Sequence, residues 1–78
     1  MNITIYTQNQ CPPCAFIKRY LAEKSIPYTE KNIRNPRYRR EMMDYDAFST
    51  PLIIMGDEVI RTVDIARIEA RLQEVQHD

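Results

Sequence analysis

The spacing of hydrophobic and polar residues changes period several times along the chain, and each change marks an element. Residues 2–6 alternate, with Ile3 and Ile5 on one face, and predict a strand. Gln8-Asn9-Gln10 is a polar loop. From Pro12 to about Lys24 the period becomes helical. Phe16, Ile17, Tyr20 and Leu21 form an apolar stripe, while Lys18, Arg19, Glu23 and Lys24 face away. Ser25 and Pro27 close that helix. Residues 28–33 read as a second strand. Asn35-Pro36 is a helix start, with Asn as N-cap and Pro at the first helical position. The helix over 36–45 carries Tyr38, Met42 and Tyr45 on its apolar side. Residues 47–50 form a loop. Leu52-Ile53-Ile54-Met55 is a continuous apolar run, as in a strand buried on both faces. Gly56-Asp57 suits a tight hairpin turn, and residues 58–61 return antiparallel. A last helix over 63–76 places Ile65, Ile68, Leu72 and Val75 at helical spacing.

The predicted order is βαβαββα, in one domain over residues 1–78, with no repeat, linker or low-complexity segment. The first βαβ unit implies a right-handed crossover and a parallel strand pair. A chain of 78 residues buries only a small core. Its 44% hydrophobic and 28% charged residues are ordinary for a soluble domain. Eleven acidic residues balance eleven basic ones, so net charge gives no pull toward nucleic acid or membrane. Residues 1–6 carry neither a basic region nor a long apolar run, so no signal peptide is expected. No run of about 18 apolar residues predicts a membrane span. The expected location is cytoplasmic. Two cysteines in a reducing compartment are catalytic or metal-binding more often than a structural staple.

The candidate chemistry lies in Cys11-Pro12-Pro13-Cys14. Cys11 falls between a strand-loop and a helix, at the N-cap. The helix dipole and free N–H groups there favour a thiolate, so a depressed Cys11 pKa is expected. Cys14, within the first helical turn, can close a small disulfide with it. Cys11 then attacks a target disulfide and Cys14 releases the mixed disulfide. Pro12 and Pro13 fit the first turn, where their missing N–H groups have no intrahelical partner. They stiffen the spacer and remove two donors, leaving the N–H groups of Cys14 and Ala15 to face the sulfur. Half a zinc site is one alternative, but such a site needs two more ligands, and only His77 remains. An inert buried pair is another. A strand, then Cys-x-x-Cys, then a helix inside a βαβ unit is the redox context.

At "IYTQNQCPPCAFIKRYL" and "STPLIIMG", and in its element order, the chain resembles the glutaredoxin branch of the thioredoxin superfamily over nearly its whole length. The resemblance implies an α/β thioredoxin fold: a four-stranded mixed sheet flanked by three helices. It implies a dithiol–disulfide oxidoreductase acting on protein or glutathione mixed disulfides. Cys11 is then the nucleophile and Cys14 the resolving thiol. Thr50-Pro51 matches the dipeptide with a cis proline beside the disulfide, and the backbone of Thr50 would pair with an extended substrate. Pro12 and Pro13 would border the substrate. The family's lysine aligns with Gln8 and its Gly-Gly pair with Arg61-Thr62. Asp64 stands at the family's aspartate, with Val63 before it. Arg37 lies nearest the position that takes glutathione's glycine end. No bound cofactor or metal is implied. Electrons would come from glutathione or from NADPH through thioredoxin reductase, to disulfide-bearing protein targets. The departures at Gln8 and Arg61-Thr62 leave room for a related redoxin, fed by thioredoxin reductase and serving ribonucleotide reductase. A third reading is a non-enzymatic carrier of an iron–sulfur cluster between two protomers, against which Cys14 and the rigid spacer argue. The expected state is a monomer.

Further features carry simpler readings. Lys31, Arg34, Arg37, Arg39 and Arg40 form a basic run that reads as a solvated helix face or as a docking surface for an acidic partner or a glutathione carboxylate. Tyr6 reads as lining the active site or as core packing at a strand end, and Lys18 as a surface charge. Met42 and Met43 read as core and rim. Asp64 is a substrate contact or a helix cap. His77 is expected to be disordered.

Overall fold

The structure, a computed structural model, describes residues 1–76, with side chains through Glu74; the expectations for Val75 and His77 lie outside what is described. The elements are β1 (Ile3–Thr7), α1 (Pro12–Glu23), β2 (Thr29–Asn32), α2 (Pro36–Asp44), β3 (Leu52–Met55), β4 (Glu58–Ile60) and α3 (Ile65–Gln76). One four-stranded sheet runs in the order β2-β1-β3-β4. β1 and β2 are parallel, as the α1 crossover requires, with Ile5 opposite Glu30 and Thr7 opposite Asn32. The pairs β1–β3 and β3–β4 are antiparallel. This is the mixed sheet with three helices expected from the resemblance.

Strand alternation builds two cores, one on each side of the sheet. Ile3, Ile5, Ile53, Met55 and Ile60 turn toward α1 and α3, where they meet Ile17, Leu21, Ile68 and Leu72. Tyr6, Leu52 and Ile54 turn the other way, with Met42 of α2 and Ala47. β3 therefore contributes to both cores, and all four of its residues are buried. The hairpin from β3 to β4 turns at Gly56, whose φ of 63° falls on the first turn residue, a position where glycine relieves the strain of a left-handed backbone.

Several side chains depart from the sequence reading. The buried stripe of α1 is Cys14, Ile17 and Leu21, at spacings of three and four. Phe16 lies beside that stripe, 50% exposed, its ring stacked on that of Tyr20 with centroids 6.5 Å apart. Tyr45 follows α2 as its C-cap and is likewise exposed. The last helix begins at Ile65. The Asp64 carboxylate accepts the Arg67 N–H at 3.1 Å and caps it. Val63 precedes the helix and packs against the larger core. Asn35 caps α2 as expected, accepting the Arg37 N–H at 2.9 Å, with Pro36 next. No helix among the described residues is long and apolar enough to cross a membrane.

Candidate functional site

The loop after β1 carries the chain to the start of α1. Gln10 makes the last turn in a left-handed conformation, φ 55°, and Cys11 follows as N-cap in extended backbone. Pro12 and Pro13 fill the first helical positions. The first available donor is thus the N–H of Cys14, which reaches the Cys11 sulfur at 3.2 Å. The Ala15 N–H, also expected to face the sulfur, instead donates to the Cys11 carbonyl at 3.0 Å as the first regular helical bond. One backbone donor, not two, therefore points at Sγ.

Cys11 and Cys14 are joined in a disulfide, their Cα atoms 5.2 Å apart. The two sulfurs are not equivalent. Cys14 belongs to the buried stripe of α1 and is 2% exposed, whereas Cys11 is partly open to solvent. A thiol partner can reach only one of them directly. Against Cys11 lies Thr50, whose hydroxyl donates to Sγ at 3.4 Å and whose carbonyl oxygen stands 3.9 Å from it. The Thr50-Pro51 bond is cis and Pro51 is buried. The fold thus brings two distant parts of the chain, Cys11 with Cys14 and Thr50 with Pro51, to one place.

Other predicted residues are distributed around this centre. Gln8 and Pro12 line an open cleft of about 630 Å³ beside the disulfide, together with Lys18 and Glu30. Pro13 is exposed on the second position of α1. Arg37 is exposed on the first turn of α2 and is not part of the cleft wall. Asp64 is engaged as a helix cap and Val63 in core packing. Arg61, at the family's glycine pair, reaches back across the fold and donates to the Tyr45 carbonyl at 2.7 Å.

Two polar networks flank the site. Thr7, fully buried, donates its hydroxyl to Glu30 Oε2 at 2.7 Å, and Lys18 Nζ donates to the same oxygen at 3.1 Å. The Thr7 bond, and then Lys18, hold the Glu30 carboxyl below its ordinary range against the opposing effect of burial. On the other face Tyr6 donates to Glu41 Oε1 at 2.8 Å, and Lys31 donates to it at 2.9 Å. Lys31 also lies over the rings of Tyr6 and Tyr38, 5.7 and 5.4 Å from their centroids. Lys31 and then Tyr6 lower the Glu41 carboxyl; burial and then Glu41 raise the Tyr6 phenol. Thr7 and Glu30 were missed by sequence reasoning. A signal existed: Thr7 continues the inward parity of Ile3 and Ile5, and Lys18 stands four residues after Cys14 on one helix face.

These shifts set a pH window for stability. A carboxyl with lowered folded pKa stabilises the fold above its ordinary 4.5 and loses that contribution as pH falls through the folded value. A phenol raised from 10.0 contributes below that value and loses it on the alkaline side, where the unfolded chain ionises first. Urea midpoints measured across pH will therefore drop at both ends. Glu41→Gln will flatten the acid limb; an unchanged acid limb in that variant would remove Glu41 from the account.

The glutaredoxin family model matches residues 3–60. The glutaredoxin-like protein NrdH of Lactococcus lactis subsp. cremoris is 29% identical over 56 residues, covering 70% of this chain and 78% of that protein. Among solved structures, the thioredoxin-like protein BC3987 superposes with a TM-score of 0.84 at 30% identity, covering 90% of this chain and 99% of that one. The glutaredoxin-like NrdH-redoxin from Escherichia coli, described as having a thioredoxin-like activity profile, superposes with a TM-score of 0.81 at 27% identity, covering 90% and 93%. The match spans the strand, the cysteine pair and the cis-proline loop alike. The chain belongs to the glutaredoxin family and, through its Cys11–Cys14 pair, is a thiol–disulfide oxidoreductase.

Proposed function

We propose that this protein is a dithiol redoxin that takes electrons from a thioredoxin reductase and passes them to disulfides on protein targets. Cys11 is the attacking thiolate, Cys14 the resolving thiol, and Thr50 with Pro51 presents the substrate. The observation that carries the assignment of roles is the unequal exposure of the two sulfurs, with the Cys14 N–H and the Thr50 hydroxyl both donating to Sγ of Cys11. Such donors favour the thiolate over the thiol in the reduced protein.

The choice of donor rests on two departures from the family pattern. Gln8 supplies no cation for a glutathione carboxylate. Arg61 puts a long side chain, tied to the Tyr45 carbonyl, where the family keeps open glycine backbone. The thioredoxin-like activity profile described for the Escherichia coli relative supports the same reading. Ribonucleotide reductase is the target offered by the family resemblance, and a reducing compartment such as the cytoplasm is the setting in which this traffic runs.

The test offers the oxidised protein two donors separately: glutathione, and NADPH with thioredoxin reductase. Rapid reduction by the reductase and slow reduction by glutathione is expected. Rapid reduction by glutathione alone would assign a conventional glutaredoxin role and overturn the proposed donor.

A further inference from the structure

We propose that the Lys18–Glu30 ion pair controls the ionisation of the resolving cysteine, with Lys18 favouring the Cys14 thiolate and Glu30 opposing it while holding the ammonium in place. The inference rests on the reading of Cys14 as the resolving thiol. That thiol has a problem that Cys11 does not share. Its side chain is 2% exposed, and burial in apolar surroundings disfavours a thiolate. It is not an N-cap, and its own N–H is committed to the Cys11 sulfur.

The resolving step makes the need explicit. Cys11 is first held in a mixed disulfide with the target. The Cys14 thiol gives up its proton to solvent, and the resulting thiolate attacks Cys11 Sγ. A new Cys11–Cys14 bond forms, the bond from Cys11 to the target sulfur breaks, and the electron pair leaves with that sulfur as a thiolate, which takes up a proton. Below the Cys14 pKa the rate rises with the ionised fraction, a gain partly offset because a thiolate of lower pKa is the weaker nucleophile.

The titratable and charged groups that line the cleft bordering Cys14 are few among the described residues. From α1 they are Cys11 and Lys18; from β2, Glu30. The preceding loop contributes only Gln8, Asn9 and Gln10, and the cis-proline loop contributes the uncharged Thr50. Lys18 stands at i+4 from Cys14, one turn along the same helix, so the two side chains emerge about 6 Å apart at Cβ. Lys18, Glu30 and Cys14 all border the cleft beside the disulfide. The ammonium is steered by its 3.1 Å contact with Glu30 Oε2, and that oxygen is fixed from below by the buried Thr7 hydroxyl. Lys18, expected from sequence to be a surface charge, is a partly exposed one that pairs with Glu30 along the cleft beside the disulfide. An ammonium near a thiol lowers its pKa and a carboxylate raises it. Both side chains keep some solvent contact, 35% and 36%, so the shift belongs at the low end of the range for close charges.

The test uses the reduced full chain mixed with an aromatic disulfide whose released thiolate is coloured. Attack by Cys11 releases one coloured thiolate, and resolution by Cys14 releases a second, so the second phase of a stopped-flow trace reads Cys14. Lys18→Met is expected to slow that phase about three-fold at neutral pH and to shift its pH profile about one unit alkaline. Lys18→Arg restores the profile. Glu30→Gln shifts it in the acid direction, and this variant carries the test if Lys18→Met does not fold. A second phase in Lys18→Met that superposes on wild type would overturn the proposal. So would profiles of Lys18→Met and Glu30→Gln moving the same way, which a purely structural role of the pair produces. Failure of the dithiol mechanism itself reads differently: the wild-type protein then shows no second phase.

Discussion

Reduced Cys14→Ser protein, given a disulfide-bearing target, will accumulate as a covalent adduct with it, while Cys11→Ser protein will form none. The reason is the difference in access to the two sulfurs. Cys11, at the partly open N-cap, can be approached along the Thr50 side. Cys14 lies within the buried stripe of α1 and meets a target only through Cys11. Removing Cys14 leaves the first exchange intact and deletes the second, so the mixed disulfide persists. Removing Cys11 leaves a shielded thiol that no bulky disulfide reaches. Non-reducing electrophoresis and intact-mass measurement separate the outcomes. Multiple-turnover reduction will fall to background in both variants. An adduct formed by Cys11→Ser protein would reverse the assignment of the two thiols.

Ile5→Ala will produce the largest loss of stability among single core substitutions tested on the oxidised protein. Ile5 is fully buried in the middle of β1, the central strand that pairs with both β2 and β3. It packs in the cluster that joins the sheet to α1 and α3. Truncating such a side chain costs about 2–5 kcal/mol, the lost transfer energy plus the cavity left behind. In a domain of this size each kcal/mol moves the midpoint by about 4–8 °C, so a fall in Tm on the order of 15 °C is expected. Ile54→Ala, at the rim of the smaller cluster and 9% exposed, will fall by less. Circular dichroism during thermal unfolding measures both. A Tm for Ile5→Ala at or above that of Ile54→Ala would show that the two cores do not differ in the way their burial implies.

Much of the architecture could be read from residue order because local and long-range preferences agree. Leu52 to Met55 is apolar at every position, and the strand is indeed covered on both faces. Asn35-Pro36 and Cys11-Pro12 each supply a cap and a preset first turn, and both helices start there. Side chains at the margins of a stripe were harder. Phe16 has the hydrophobicity of a core residue, but Ile17 already occupies the central line of the helix, and Phe16 is left to stack on Tyr20. Tyr45 is spaced as a helix residue but falls at the cap, where it is 37% exposed and its ring tilts against that of Tyr6 with centroids 6.3 Å apart.

The site divides in the same way. Cys11, Cys14 and Thr50-Pro51 announce themselves through a short motif and a resemblance. The Thr7–Glu30–Lys18 chain does not, because it is assembled from three separate elements by the parallel register of β1 and β2. No local pattern links a threonine at the end of one strand to a glutamate in the middle of the next. Thr7 shares the inward parity of Ile3 and Ile5 and Lys18 is spaced from Cys14 by one helical turn, but neither clue points to Glu30. From sequence Asp64 is open between substrate contact and helix cap, and its carboxylate does cap α3, while Val63 before it packs against the larger core.

The arrangement of the sheet also bears on strand pairing between copies of the chain. Its two outer strands are β2 and β4, and an outer strand exposes backbone groups that can recruit another chain into a continuous ribbon. Here β2 is four residues long, Thr-Glu-Lys-Asn, without an aliphatic side chain. β4 is three residues long, and its Glu58 is tied by Arg67 and Arg71 of the adjoining helix. Neither border offers the long, flat, apolar template on which strand-to-strand aggregation grows. Glu30, which anchors the polar network beside the disulfide, and Lys31, which pairs with Glu41 on the other face, therefore also put charge on an open margin of the sheet.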